Sequence, residues 1–282
     1  MIDTNVKPSQ IEVPVFDMDE LRQTEPSKWH RRKWLLDRVA AGLLLILGLP
    51  MICVLVVLIR VTSRGPAIFS QVRVGKNGRK FTMFKLRTMI CDAEAESGPM
   101  WTQDGDPRVT TVGRVLRKVH LDELPQLFNV LRGEMSLIGP RPERPEFTEV
   151  LSEVLPTFTN RLAVAPGVTG LAQINLPPDS DINSVRRKMV LDHEYVEQAS
   201  ILLDLAIILA TALRLMGVPG AVAALIARVE RQVRLEPLSG TGTESTLTPT
   251  SLVAMKASRA ETPTIASGQH IDPSMPGVST SR

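Results

Sequence analysis

With 282 residues and 43% hydrophobic side chains, the chain can bury one core of ordinary size plus tails, or two small cores, which excludes a wholly unstructured polymer. Its two cysteines, Cys53 and Cys91, exclude a disulfide framework, and Cys53 lies in an apolar run as a small hydrophobe. The net charge of +3 conceals a partition: residues 1–27 sum to −4, residues 235–282 to −1 and residues 28–234 to +8, with thirteen Lys or Arg against the single Asp37 between Lys28 and Cys91. A basic block of this kind seeks phosphate, on nucleic acid or on lipid headgroups.

Residues 1–27 and 237–282 are expected to be disordered, the second being rich in Ser, Thr, Pro and Gly without a periodic apolar face. Nothing resembles a cleaved signal peptide, because the first apolar run starts near residue 39 behind a polar segment; a reducing cytoplasmic setting is expected for the soluble part. Residues 39–59, "VAAGLLLILGLPMICVLVVLI", are uncharged over twenty-one positions, about the length needed to cross a bilayer core. A plain spanning anchor is one reading. Gly48 and Pro50 at its midpoint count against it, since proline removes a backbone hydrogen bond and clashes with the preceding turn. So do the basic flanks: Lys28, Arg31, Arg32, Lys33 and Arg38 before the run, Arg60, Arg64, Arg73 and Lys76 after it. The positive-inside rule favours keeping both on the cytoplasmic side. A re-entrant membrane helix over 28–64, entering, breaking at Pro50 and leaving on the same face, satisfies both observations.

Residues 71–88, "QVRVGKNGRKFTMFKLRT", predict a hairpin about "GKNG", with Val72 and Val74 alternating on one arm and Phe81 and Met83 on the other. Lys85 and Arg87 follow at period two, on one face. Residues 112–120 predict a short helix bearing Arg114, Arg117 and Lys118. Pro125 is tolerated only in a first helical turn, so a helix is expected to start at 122–124, with Asp122 and Glu123 at its mouth and Leu124, Leu127, Phe128 and Leu131 along it. Residues 165–175 are turn-rich; 185–196 and 200–216 predict helices, the second nearly apolar all round. Residues 218–236 are expected to form a basic amphipathic helix lying in the membrane interface.

Adjacent carboxylates can divide labour: one attacks a phosphorus while its neighbour holds a divalent cation, and the positive end of a helix keeps both ionised. The bland alternative is that they are first-turn caps. Arg117, five residues upstream of Asp122, and Arg141, clamped between Pro140 and Pro142, tip the balance, because arginine is a two-pronged donor suited to phosphate oxygens. Phosphate chemistry at a membrane is the expectation. No Walker-type loop, His/Cys metal cluster or Gly-flanked serine elbow supports another chemistry. The basic charge lacks the interleaved aromatics of single-strand binding, so nucleic acid is not an expected partner. Two rivals remain open: a non-catalytic membrane adaptor, which would need the charge but not the dyad, and a membrane phosphatase or nucleotidyltransferase using the same dyad.

"FKLRTM" (84–89), "DPRVTTVGRVLRKVHLDELPQLFNVLRGEMSLIGPRP" (106–142), "PGVTGLAQIN" (166–175) and "LDHEYVEQASILLDL" (191–205) resemble the bacterial sugar transferases, the monotopic polyprenyl-phosphate hexose-1-phosphate transferases, in that family's order over about residues 33–217. The resemblance implies a UDP-sugar donor, Mg²⁺, and an undecaprenyl (polyprenyl) phosphate acceptor at the inner leaflet of the bacterial cytoplasmic membrane. Downstream glycosyltransferases of exopolysaccharide, capsule or O-antigen synthesis are candidate partners. It makes Asp122 the nucleophile and Glu123 the magnesium ligand. Arg117, Arg141, Lys85, Arg87 and Arg108 are the expected phosphate-binding residues, and Pro50 the membrane break. The chain departs from the family pattern where Leu49 replaces the frequent Ser before Pro50, and where Leu176-Pro177 replaces a frequent Gly-Arg. A small form without the larger members' N-terminal helices is expected. The fold class expected is α+β: a mainly helical catalytic domain over 65–217 with a small hairpin, on the cytoplasmic face, anchored by the re-entrant and interfacial helices.

Overall fold

The computed structural model describes residues 15–16, 25–91, 93–94, 105–235, 251 and 253. Most of the two segments expected to be disordered therefore lies outside the described residues. Val15–Phe16 (β1) forms a two-residue parallel pair with Arg234–Leu235, and Val253 packs on a core cluster.

Helix α1, Trp29–Thr62, is the longest element, about 50 Å at 1.5 Å per residue. Its buried positions, Lys33, Asp37, Ala41, Leu45, Ile52, Leu55 and Ile59, form one stripe that docks on the rest of the molecule along both halves. The other faces are exposed and apolar, with Leu47 78% and Val61 80% accessible. By length and composition this helix could cross a membrane. The expected break at Pro50 is not an end of one helix and the start of another; α1 runs through it. Pro50 and Ile46, whose carbonyl loses its partner, both lie on exposed positions, so the missing bond falls away from the buried stripe.

The hairpin forms as expected: β2 (Ile68–Val74) pairs antiparallel with β3 (Lys80–Leu86), Val74 opposite Lys80, and the turn places Asn77 in the left-handed region. Phe81 and Met83 of β3 pack on Ala41, Leu45 and Ile52 of α1 and on Leu127 and Val130 of α3 (Gln126–Arg132). The helix expected over 112–120 is α2, Thr111–Lys118, capped by Thr110 Oγ1, which accepts from Gly113 N at 2.9 Å. A parallel pair follows, β4 (Ser136–Ile138) with β5 (Gly167–Thr169), separated by α4 (Pro145–Val154) and a 3-10 segment, Pro156–Ala163. The turn-rich stretch thus contains β5 and a short helix, α5 (Leu171–Asn175). Helices α6 (Ile182–Gln198) and α7 (Ile201–Leu215) match the expected pair, and α6 opens with a capping box at Asp181 and Ser184. The architecture is α+β, with helices dominant and two-stranded sheets among the described residues.

The expected interfacial helix over 218–236 is much shorter. Helix α8 covers only Gly220–Ile226, and Arg228, two residues beyond it, has φ 57°. Arg228 N donates to the Leu225 carbonyl and Val229 N to the Ala224 carbonyl, a Schellman closure. Val229 is buried, and Asn175 clasps the following chain, its Nδ2 donating to Val229 O and its Oδ1 accepting from Arg231 N. These contacts outweigh the helical periodicity of the basic residues. Exposed Val222, Leu225 and Ile226 on α8 join exposed Leu202, Leu205 and Leu209 on α7 as further apolar surface.

The N-terminal half of α1 is fixed by buried charge. Lys33, 3% exposed, donates to the Tyr195 hydroxyl and the Ile138 carbonyl, each at 2.9 Å, and pairs with Asp204 at 2.8 Å. Trp29 Nε1 and Tyr195 OH also donate to Asp204, and Ser136 Oγ donates to Asp37. Removing one partner from such a set leaves an uncompensated buried charge, a loss on the order of 3–5 kcal/mol. Asp204→Ala should therefore lower the unfolding free energy by about that much. Denaturant melts of the detergent-solubilised protein check it, and a loss below about 1 kcal/mol would show the set to be dispensable.

Candidate active site

Helix α2 ends at Lys118, and His120 takes a left-handed conformation (φ 53°) that reverses the chain into a single 3-10 turn, Leu121–Glu123. Pro125 then caps α3. The dyad stands in this turn rather than in the α-helix, which starts at Gln126. Burial of Leu127 and Val130 behind the turn fixes it against α1 and β3.

Three segments converge on Glu123. Its Oε1 accepts from Lys85 Nζ of β3 at 3.0 Å and from Arg141 Nη2 at 2.7 Å. Burial opposes ionisation of this carboxyl, but Arg141 and Lys85 outweigh it and hold Glu123 well below the usual carboxylate range. The Glu123 charge in turn raises the Arg141 guanidinium, while burial lowers the Lys85 ammonium. Asp122, 7% exposed, makes no hydrogen bond or ion pair among the described residues. Burial, then the Glu123 charge, push its carboxyl up; Lys85, Arg117 and Arg141 pull it back only in part. The two acids, both expected to be kept ionised by a helix end, are displaced in opposite directions. The cations lie on one carboxylate, and its neighbour is left the more basic.

Arg117 of α2 faces the dyad electrostatically, and its Nε donates to Thr88 Oγ1 at 2.8 Å. Gly113 allows this: a Cβ there would lie 2.0 Å from the Thr88 carbonyl oxygen, so α2 could not seat against the strand end. Arg108 grips Asp106, with Nη2 to Oδ2 at 2.6 Å, and its charge registers at Arg117. Arg87 stands apart from the other expected phosphate-binding residues. It does not reach the dyad, but donates to the carbonyls of Ser63 (2.9 Å) and Arg64 (2.7 Å) and to Ser63 Oγ, capping the C-terminal end of α1. The chain just past α1 has no helical donors for these carbonyls, and a buried guanidinium supplies them.

Arg73, Glu143, Arg161, Lys188 and Asp192 surround the Arg141 loop and were not expected there. Lys188, Arg161 and Arg73 overcome burial to hold Glu143 down to about 2, whereas burial pushes Asp192 up to about 6 and Arg73 down to about 10. Asp192 stands inside "LDHEYVEQ" and Glu143 directly follows Pro142, which are the two signals in the sequence; Arg161 and Lys188 carry none.

A family model for bacterial sugar transferases matches residues 28–217. The chain belongs to the bacterial sugar transferase family. It is 41% identical over 202 residues to an undecaprenyl-phosphate glucose phosphotransferase of Komagataeibacter xylinus, covering 70% of this chain and 38% of that protein. It is 42% identical over 176 residues to a UDP-N-acetylgalactosamine-undecaprenyl-phosphate N-acetylgalactosaminephosphotransferase of Aeromonas hydrophila, covering 62% and 41%. A UDP-glucose:undecaprenyl-phosphate glucose-1-phosphate transferase of Caulobacter vibrioides is 43% identical over 184 residues, 64% of this chain and 68% of that protein. The matched region of this family member thus spans about two fifths of the length of the first two relatives and about two thirds of the third.

The opposite displacements of the two acids have opposite effects on stability. Glu123 is depressed below the ordinary value of 4.5, so its contribution is complete above about pH 4.5 and fades as pH falls toward its folded value. Asp122 is raised, so at neutral pH its ionisation opposes folding. Asp122→Asn should raise the unfolding free energy at pH 7, and Glu123→Gln should lower it by roughly 1–3 kcal/mol. Chemical denaturation of the two variants at pH 7 checks the signs; equal signs would contradict the assigned asymmetry.

Proposed function

We propose that this protein transfers a sugar-1-phosphate from a UDP-sugar to undecaprenyl phosphate. The observation that carries the reading is the division of the dyad: a buried Asp122 with no side-chain hydrogen bond or ion pair among the described residues, beside a Glu123 fixed by two cations. The names of the relatives support the donor and acceptor classes. A carboxylate made more basic by burial is a better nucleophile, provided it stays ionised at working pH. Asp122 attacks the phosphorus bearing the sugar. The bond from that phosphorus to the bridging oxygen breaks, UMP leaves, and a phosphosugar-aspartyl group remains on the chain. An oxygen of the acceptor phosphate then attacks the same phosphorus and expels the aspartate carboxylate, giving polyprenyl-diphosphate-sugar.

Arg141 and Arg117 supply fixed positive charge to the phosphoryl oxygens as negative charge redistributes, the main work in such transfers. Magnesium fits the donor set in the manner usual for that ion: it needs only one or two carboxylates, with substrate phosphate and water completing its shell. Both cations fall on Glu123 Oε1, so Glu123 Oε2 is the protein group that would hold it. When bound, it supplies further charge neutralisation at the phosphates.

The acceptor cannot leave the bilayer cheaply, at about 0.8 kcal/mol per buried CH₂, so the site must stand at the membrane surface. We place α1 in the cytoplasmic leaflet with both flanks and the catalytic domain on the cytoplasmic face, as a re-entrant rather than a spanning element. Supporting this, Lys33 near one end and Ile59 near the other dock on the same domain, which a straight crossing would have to leave behind. The product would then feed downstream glycosyltransferases of polysaccharide assembly.

Two experiments test this. Purified protein given UDP-sugar and polyprenyl phosphate should release UMP; Asp122→Asn should abolish release, and wild type quenched with donor alone should carry the sugar phosphate on the peptide holding Asp122. An adduct on another peptide, or turnover by the Asn variant, rejects the mechanism. For topology, Arg31→Cys and Lys76→Cys, in a chain lacking Cys53 and Cys91, should react with an impermeant thiol reagent only after the cytoplasm is opened. Labelling of position 31 in intact spheroplasts would establish a span.

A further inference from the structure

Arg141 is the cation that joins its loop to the dyad, and its neighbours make that loop hard to hold. Pro140 and Pro142 have no N–H, so this stretch must be fixed largely through its carbonyls. Every carbonyl from 140 to 143 is engaged. Pro140 O accepts from Gly167 N at 2.9 Å and Glu143 O from Val74 N at 2.9 Å, both backbone donors. Between them, Arg141 O accepts from Arg161 Nη2 at 2.7 Å and Pro142 O from Arg73 Nη1 at 3.1 Å.

Arg161 is 2% exposed, and its charge is balanced by Asp192 Oδ2 at 2.8 Å and Glu143 Oε1 at 3.7 Å. Glu143 is shared with Lys188 at 2.7 Å, and Lys188 also pairs with Asp179. Three cations (Arg73, Arg161, Lys188) thus face three acids (Glu143, Asp179, Asp192). As a source of stability such a set is a poor choice, because well-packed apolar side chains of similar volume often do as well or better. What it supplies is a rigid donor at a carbonyl that has no strand partner. The contacts of Arg161 run to Arg141 O, Asp192, Glu143 and the Phe158 ring, not to Asp122 or Glu123 among the described residues.

We propose that Arg161, seated by Asp192 and Glu143 and seconded by Arg73, is a positioning residue: it clamps the Arg141 backbone so that the guanidinium meets Glu123 and the substrate phosphate in one fixed geometry. The catalytic part of this inference rests on the sugar-phosphate transferase reading above. A misplacement of about 1 Å in such a group can cost on the order of 100-fold in rate.

The test is a double-mutant cycle with a second, activity-independent arm. Arg161→Gln should lower kcat for UMP release at least tenfold, with the KM for UDP-sugar changed less, and Arg161→Lys should recover part of the loss. In an Arg141→Lys background the same Arg161→Gln change should cost less than twofold, because Arg161 acts through Arg141. Independent, multiplying losses in the double variant would overturn the proposal. Hydrogen exchange should rise at the amides of Gly139, Arg141 and Glu143 in Arg161→Gln while α6 stays protected; unchanged exchange there in a folded variant would also overturn it. If Arg161→Gln does not fold, Arg73→Gln, which removes the Pro142 carbonyl donor, is carried through both arms with the same criteria. A wild type that releases no UMP with any donor rejects the reaction reading alone, and the exchange arm still decides the clamp.

Discussion

The site depends on one carboxylate oxygen. Glu123 Oε1 receives Lys85 from the hairpin and Arg141 from the loop after β4, while Glu123 itself is carried by the turn between α2 and α3. Three segments far apart in the chain are tied at that atom. Glu123 and Lys85 are largely buried, and either charge without a partner there would cost several kcal/mol, so Lys85 needs Glu123 in place and Glu123 needs Lys85 or Arg141. The requirement runs outward. Arg141 needs its loop held, the loop draws on Arg73 and Arg161, and Arg161 needs Asp192 and Glu143. A surface shell of phosphate-seeking cations would need none of this.

The same tie makes adjacent acids unlike. Glu123 lies between the cations and is held as an anion. Asp122 is buried beside that anion, and its own negative charge is disfavoured. One residue along the chain is enough to separate a fixed charge from an uncommitted, more basic carboxylate, because a 3-10 turn directs successive side chains apart. On the proposed mechanism, the stability given up at Asp122 is the counterpart of its reactivity.

Strand β3 links this chemistry to the long apolar helix. Lys85 reaches the dyad, and Arg87, just past the strand end, caps the C-terminal end of α1. Between them the stripe of α1 shares one cluster with Phe81, Met83, Leu127 and Val130. The helix is thereby part of the domain core rather than a tether, with Lys33 and Asp204 fixing its other half. A bilayer that takes up its exposed face would fix the height of the dyad above the lipid, within the give of packed side chains.

Much of this was legible in the chain. The hairpin, α2, α6 and α7 follow from periodicity and turn residues, which are local. The dyad, Arg117 and Arg141 stood out because unusual side chains cluster at short spacing, and the family's motifs lie in order. Where local signals met long-range ones, the sequence reading failed. Periodicity made 218–236 one helix, but Asn175 and a left-handed Arg228 stop it at Ile226. Lys85 and Arg87 sit two apart on one stretch and looked equivalent, yet one meets Glu123 and the other the carbonyls of Ser63 and Arg64, just past α1. The sequence by itself determined which residues could handle phosphate and which segment was apolar enough for a membrane, since both are properties of side chains in order. Only the tertiary structure decided which cation neutralises which acid, which carboxylate stays basic and what holds Arg141. Those depend on burial and on charges within a few ångströms, supplied by residues dozens of positions away.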